Sequence, residues 1–202
     1  MNEPRNYHHG NLRQALIEAA LEVVERDGYQ ALSLRELAQQ LEVSRGAPYR
    51  HFADRDALLT ACACEGFRLL IAAHRKNVSD HHAPVARARA VGLAFLNFTA
   101  SRPGLFVLMF DSGQLNRANE ENELGALQHL VYEEVCQSLA LTKPSLSPTA
   151  LRTRMITMWS TLYGYARLRQ TALLKPYMLE DLDTAELEEQ LVAAAFDLPQ
   201  EP

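Results

Sequence analysis

This 202-residue chain offers no leader peptide and no membrane-spanning run. Its opening residues, Met-Asn-Glu-Pro-Arg-Asn-Tyr-His-His-Gly, contain no apolar core of the kind a secretory signal needs. Unbroken apolar runs such as Leu105–Phe110 fall far short of the roughly 20 residues that cross a bilayer. Cysteine is scarce: Cys62, Cys64 and Cys136 cannot all pair. Cys62 and Cys64 stand two apart on a predicted helix and point to nearly opposite sides, so they neither bridge nor chelate together. These absences predict a reduced, cytoplasmic protein without a membrane partner. Excess positive charge is missing as well. A formal net charge of −5 excludes a protein that coats nucleic acid by bulk electrostatics.

Catalytic patterns are equally absent. There is no Gly-rich phosphate loop, no nucleophile elbow and no paired catalytic carboxylates, so the chain is read as having no catalytic residue and no cofactor. His74, Asp80, His81 and His82 come nearest to a metal set. However, His74 lies on a predicted helix, the other three fall at a break, and no Cys or Glu stands at matching spacing. They are read as solvated residues, and no metal site is expected. No alternating, β-branched strand pattern appears, and no repeat or low-complexity tract.

What is present is helical periodicity nearly throughout, which predicts an all-α chain of about nine helices. The most informative stretch is residues 33–52, Ser-Leu-Arg-Glu-Leu-Ala-Gln-Gln-Leu-Glu-Val-Ser-Arg-Gly-Ala-Pro-Tyr-Arg-His-Phe. Ser33 stands three before Glu36, the reciprocal capping pattern, and Leu34, Leu37, Ala38 and Leu41 form one apolar stripe. Glu42 and Val43 make a turn, and Ser44 is placed to cap a second short helix ending near Phe52. Two short helices joined this tightly, the second one polar, form a helix-turn-helix pattern. Pro48 falls at the fourth position of that second helix, where its missing N–H deletes the first intrahelical bond. A tight first turn is therefore expected there.

The first helix carries Leu12, Leu16, Ala19 and Val23, with Asn11 as cap and Gly28 as stop. A long fourth helix runs from its Asp54 cap to about Asn77, and the fifth from Pro84 to about Ser101. A short sixth covers Leu105–Phe110, and a polar loop leads to the seventh, about Glu123 to Leu141. The eighth runs from about Thr149 to Leu174, striped by Met155, Met158, Trp159, Leu162 and Ala166. The ninth opens at Asp183 and Thr184, with Leu187, Leu191, Ala194 and Leu198 along one side. The break after the fourth helix gives a functional division into residues 1–58 and 59–202.

The segment from about Asn11 to Leu59 resembles the DNA-binding domain of TetR-family transcriptional regulators. The residues that carry the resemblance are Ala15-Leu16-Ile17-Glu18-Ala19-Ala20 and Gly28-Tyr29, then Ser33-Leu34-Arg35-Glu36-Leu37-Ala38, then Val43-Ser44-Arg45-Gly46-x-x-Tyr49-x-His51-Phe52, and finally Asp54-Arg55-Asp56-Ala57-Leu58-Leu59. Trp159-x-x-x-Tyr163-Gly164, with Arg102-Pro103-Gly104-Leu105-Phe106, resembles a subgroup whose ligand domain carries a Trp…His-Gly signature. Tyr163 stands here in the place of the His. The resemblance implies a three-helix DNA-binding domain followed by a helical ligand-binding and dimerisation bundle.

It also implies that the third helix enters the major groove while the first two touch phosphates at their amino-termini, which brings in Ser33 and Arg35. Free amides near Ser44 and Ala47 suit a phosphate, and Gly46 permits close backbone approach. Arg45 matches the two acceptors of a guanine edge, and Tyr49, Arg50 and His51 are assigned to the DNA backbone. Arg5, His8 and His9 form an arm ahead of the first helix, read either as a further DNA contact or as a plain unstructured tail. Residues 1–58 hold seven Arg and nine acidic residues, so each protomer is expected to bind DNA modestly, with dimerisation supplying the rest.

Phe95, Phe98, Phe106, Met109, Phe110, Met155, Trp159 and Tyr163, with His129 and Tyr132, are richer in polarisable groups than a tight core requires. Each can be plain core, and His129 with Glu133 can be a surface pair. Together they predict a pocket for a small apolar effector. The eighth and ninth helices carry apolar stripes longer than one core face needs, which predicts a homodimer through both. The function expected is a ligand-responsive repressor binding a palindromic operator in double-stranded DNA. Two other classes are weighed against it: an all-helical enzyme on a hydrophobic substrate, and a protein-interaction module without DNA binding.

Overall fold

The computed structural model of the chain describes residues 12–79 and 83–199. Among these residues the regular structure is entirely helical: α1 Leu12–Asp27, α2 Leu34–Gln40, α3 Arg55–Ser79, α4 Pro84–Ser101, α5 Pro103–Asp111, α6 Glu123–Thr142, α7 Pro148–Gln170 and α8 Thr184–Phe196. Short 3-10 turns lie at Tyr29–Ala31, Pro48–Arg50, Gln114–Arg117 and Pro176–Met178. The all-α class is as expected, but the α-helices among the described residues number eight and not nine, because residues 44–52 make no α-helix. Arg5, His8 and His9, and likewise Asp80, His81 and His82, lie outside the described residues.

The chain folds as two compact units. One runs to Gly66 and takes back Gly104–Ala126, and the other comprises Phe67–Pro103 and the chain from Leu127 onward. In the first unit, α1 buries Ala15, Leu16, Ile17, Ala19, Ala20 and Val24, so the inward valine is Val24 and not Val23. The helix ends at Gly28, whose φ of 82° and ψ of 159° belong to a region essentially confined to glycine. Ser33 Oγ accepts from Glu36 N–H at 3.4 Å, and α2 buries Leu34, Leu37 and Ala38. A Schellman closure ends α2: Val43 N–H donates to the Ala38 carbonyl at 2.9 Å and Glu42 N–H to Gln39 at 3.2 Å. Glu42 takes the left-handed conformation this requires, with φ of 55°. Asp54 Oδ1 then caps α3, accepting from Ala57 N–H at 2.7 Å. The segment after α5 is tied to α3 by Thr60 Oγ1 donating to Gln114 at 2.8 Å and by an Arg117–Asp56 ion pair. By length and composition α3 could cross a membrane, yet 56% of that span is buried inside the protein, as in a core helix.

In the second unit α4 and α8 pack closely. A Cβ on Gly92 would lie 2.6 Å from Val192 Cγ1, so only glycine fits without displacing that side chain. α8 buries Val192, Ala193, Ala195 and Phe196, while Leu187 and Leu191 are half-buried and Ala194 is exposed. The Arg169 guanidinium joins three helices. It donates to the Leu96 carbonyl and to Thr99 Oγ1, both at 2.9 Å, and pairs with Glu188. Ser147 and Asp183 cap α7 and α8 by accepting from Ala150 and Glu186 amides. α7 stops at Gln170, four residues before the expected end, because Ala172 turns left-handed at φ 53° and Leu173 N–H closes on the Leu168 carbonyl. On α3, buried His74 lies 3.8 Å from Glu134 of α6, beyond hydrogen-bond length, whereas Arg75 Nε donates to that carboxylate at 2.9 Å. His74 and, with the shorter contact, Arg75 hold the Glu134 carboxyl below the usual carboxylate range.

Candidate nucleic-acid interface

Residues 44–52 differ from the expected helix for a local reason. A continuous α-helix needs residue 48 to donate to the Ser44 carbonyl, and Pro48 has no hydrogen to give. That carbonyl accepts instead from Ala47 N–H at 2.9 Å, and the next turn closes through Arg50 N–H to Ala47 at 3.2 Å and His51 N–H to Pro48 at 3.0 Å. Pro48 thereby becomes the first residue of a 3-10 turn, where a missing N–H is harmless. Phe52 N–H also reaches the Pro48 carbonyl at 3.0 Å, leaving one α-type bond in the segment. Ser44 does not cap as expected: the capping position is Ala47, with no side-chain bond.

The turn is anchored from beneath and open above. Pro48 and Phe52 are buried, while Ser44, Arg45, Gly46, Tyr49, Arg50 and His51 are exposed and Ala47 is half-buried. Tyr49 keeps 55% of its surface accessible, unusual for so large a ring. A Cβ on Gly46 would meet nothing within 4 Å, and its φ is not in the left-handed region, so the fold itself does not demand glycine there. Ser33 is half-buried at the start of α2, and Arg35 beside it is exposed. The described members of the expected DNA-facing set thus lie on one compact motif.

Two arginines of this region have roles that spacing alone did not reveal. Arg55 is half-buried, unlike the exposed Arg45 and Arg50. Its guanidinium donates to the backbone carbonyls of Leu32 at 3.0 Å, Tyr29 and Gln30, tying the start of α3 to the α1–α2 connection. Arg13 lies over the Phe52 ring at 5.4 Å from its centroid. No periodic signal links either residue to partners so far along the chain.

The expected effector set divides between the two units. Phe106, Met109 and Phe110 belong to the first, with Phe106 and Phe110 in ring contact at 5.3 Å. In the second, Phe95 on α4 meets Trp159 on α7 at 5.2 Å, and Trp159 stacks with Tyr163 at 5.8 Å. Phe98 is buried and Met155 half-buried. His129 is exposed, stacked on Tyr132 and paired with Glu133 at 3.2 Å, the arrangement of a surface pair. Tyr132 also lines an open groove of about 610 Å³ with Cys136, Leu151 and Arg152. Its bond with Cys136 is the first cause raising its phenol above the ordinary value. No group of three metal-ligating side chains occurs among the described residues.

Residues 16–62 match the family model of bacterial regulatory proteins, tetR family, and residues 88–195 match the tetracyclin repressor-like C-terminal domain. The second match alone spans more than half of the chain. The chain belongs to the TetR family. This TetR protein is 30% identical to a solved structure from Rhodococcus sp. RHA1 described as a protein with unknown function, with a TM-score of 0.75 and 96% of each chain covered. It shares its fold with a TetR-family transcriptional regulator from Bordetella parapertussis 12822, at 21% identity, a TM-score of 0.66, and 94% and 96% of the two chains. Among curated relatives it is 39% identical over 59 residues to the HTH-type nicotine-responsive transcriptional repressor HdnoR of Paenarthrobacter nicotinovorans. That match covers 29% of this chain and 30% of the repressor. TetR-family proteins are DNA-binding transcriptional regulators and not enzymes, which sets aside the enzyme reading. They bind operator DNA, act as dimers and respond to small-molecule effectors.

Proposed function

We propose that this TetR protein is a cytoplasmic, ligand-responsive repressor whose homodimer places two copies of the Ser44–His51 turn in successive major grooves of a palindromic operator. The observation that carries the reading is Gly46 between exposed Ser44, Arg45, Tyr49 and Arg50: a glycine the fold does not require, where a DNA backbone would need room. Arg45 reads a guanine edge. Tyr49, Arg50 and His51 hold phosphates, and Ser33 and Arg35 approach the backbone from the start of α2. Residues 1–58, including the arm with Arg5, His8 and His9, supply the DNA contacts. Residues 59–202 supply the effector pocket and the dimer contacts, with Phe95, Trp159 and Tyr163 as apolar and aromatic contributors.

The dimer forms through α7 and α8. Thr153, Thr157 and Thr161 each donate their hydroxyl to the carbonyl four residues back, so the polar atoms are spent within the helix. Alongside them Ile156 is 60% exposed, Leu168 is exposed, and a Cβ on Gly164 would meet nothing within 4 Å. A second α7 can approach such a face closely. Twofold symmetry then sets the half-sites about 34–36 Å apart or a multiple of that. Two variants test the reading against a duplex selected from a random pool. Gly46→Ala should melt like wild type yet bind the duplex weakly. Ile156→Glu should sediment as a monomer and lose the duplex. Unchanged binding by both would contradict it.

A further inference from the structure

The chain leaves the second unit and re-enters the first between Pro103 and Gly104. The first two amides after that crossing are both held by one side chain of α1. Glu25 Oε2 accepts from Gly104 N–H at 3.0 Å, and Glu25 Oε1 accepts from Leu105 N–H at 3.2 Å. These N–H groups open α5 and have no partner inside their own helix, so a carboxylate there satisfies two orphan donors and faces the positive end of the helix. The approach is as close as two backbones allow: a Cβ on Gly104 would fall on the Val24 carbonyl oxygen. Val24 and Glu25 lie in the last turns of the same α1 whose Arg13 covers the Phe52 ring beneath the recognition turn. One rigid helix thus carries the re-entry point at one end and a contact with the recognition motif at the other.

We propose that Glu25 is the positioning residue that sets the separation of the two recognition turns on DNA, by fastening the re-entering chain to α1. This rests on the dimeric reading above. With the clasp closed, the crossing at Gly104 is fixed relative to the recognition turn. With it open, α1 no longer fixes that crossing, and the dimer tolerates a wider range of half-site separations. The base contacts themselves are untouched, because Glu25 lies on a different element from Arg45 and Arg50.

The test uses full-length protein and duplexes built from the half-site that wild type selects from a random pool, with the separation stepped one base pair at a time. Wild type should show a sharp optimum. In Glu25→Ala and Glu25→Gln the ratio of affinities at the best and neighbouring separations should fall by at least about fivefold, the lower end of ordinary coupling between sites, with half-site sequence preference unchanged. Glu18→Ala, elsewhere on α1, should keep the wild-type optimum. Simple loss of stability would lower affinity at every separation alike and leave the optimum sharp, and Glu25→Gln keeps the comparison possible if Glu25→Ala does not fold. A sharp optimum in a folded Glu25 variant overturns the proposal alone. A wild type indifferent to separation overturns the dimeric reading and this one with it.

Discussion

Pro48 stands four residues after Ser44, and the Ser44 carbonyl accepts from Ala47 instead of from the residue a helix would use. This single missing hydrogen turns the expected recognition helix into a pair of tight turns. Replacing it should restore the helix: in Pro48→Ala, the new amide at residue 48 should be protected from exchange because it bonds to the Ser44 carbonyl. Stability should change by less than about 1.5 kcal/mol, because a gained hydrogen bond of about 0.5–1.5 kcal/mol offsets lost ring burial. An amide at 48 that exchanges like an open loop would contradict this account of the turn.

Arg50 and Arg55 lie five apart but should respond differently. Arg50 is exposed, and Arg50→Ala should weaken binding to all duplexes alike and reduce the slope of log affinity against log salt by about 1. Arg55 spends its guanidinium on three backbone carbonyls. Arg55→Ala should therefore lower unfolding free energy by about 1.5–3 kcal/mol and leave the salt slope unchanged. Denaturant titration and salt-dependent anisotropy separate the two.

Much of the first unit is legible locally. The Ser33 half of the capping pattern with Glu36, the Asp54 cap and the Leu34–Leu37–Ala38 part of the stripe depend on neighbours within a turn and are present, whereas Leu41 is only half-buried. Pro48 carried its own warning, but the helical pattern around it argued for continuity. Arg55 could not be read this way, since its partners lie 23 to 26 residues upstream. The effector set was harder still. Phe106 and Met109 have the same composition signal as Phe95 and Trp159, and only the long-range path of the chain assigns them to different units.

Ala172 closes α7 in the left-handed conformation with no side-chain compensation, and it is exposed. Ala172→Gly should stabilise the protein by about 1 kcal/mol, since glycine avoids the Cβ clash of that region. Thermal unfolding checks it, and a lower midpoint would contradict the closure described.

Glu134 gives the second unit an acid limb. Its carboxyl is held below the ordinary glutamate value in the folded protein, so the unfolded chain takes up its proton first as pH falls. The stabilisation is present above the unfolded value and lost as pH drops through the folded one. Glu134→Gln should flatten the fall in stability below about pH 4.5 and leave the neutral-to-alkaline profile parallel to wild type. Denaturant midpoints measured across that range decide it.

The most direct measurement of the central claim is methylation interference on the selected duplex. Guanine N7 faces the major groove, so methyl groups there should block wild-type binding in two patches about one helical turn, ~34–36 Å, apart. Arg45→Ala should become tolerant of one guanine in each patch. Interference confined to adenine N3 in the minor groove, a single patch, or an Arg45→Ala pattern identical to wild type would contradict the docking of the Ser44–His51 turn.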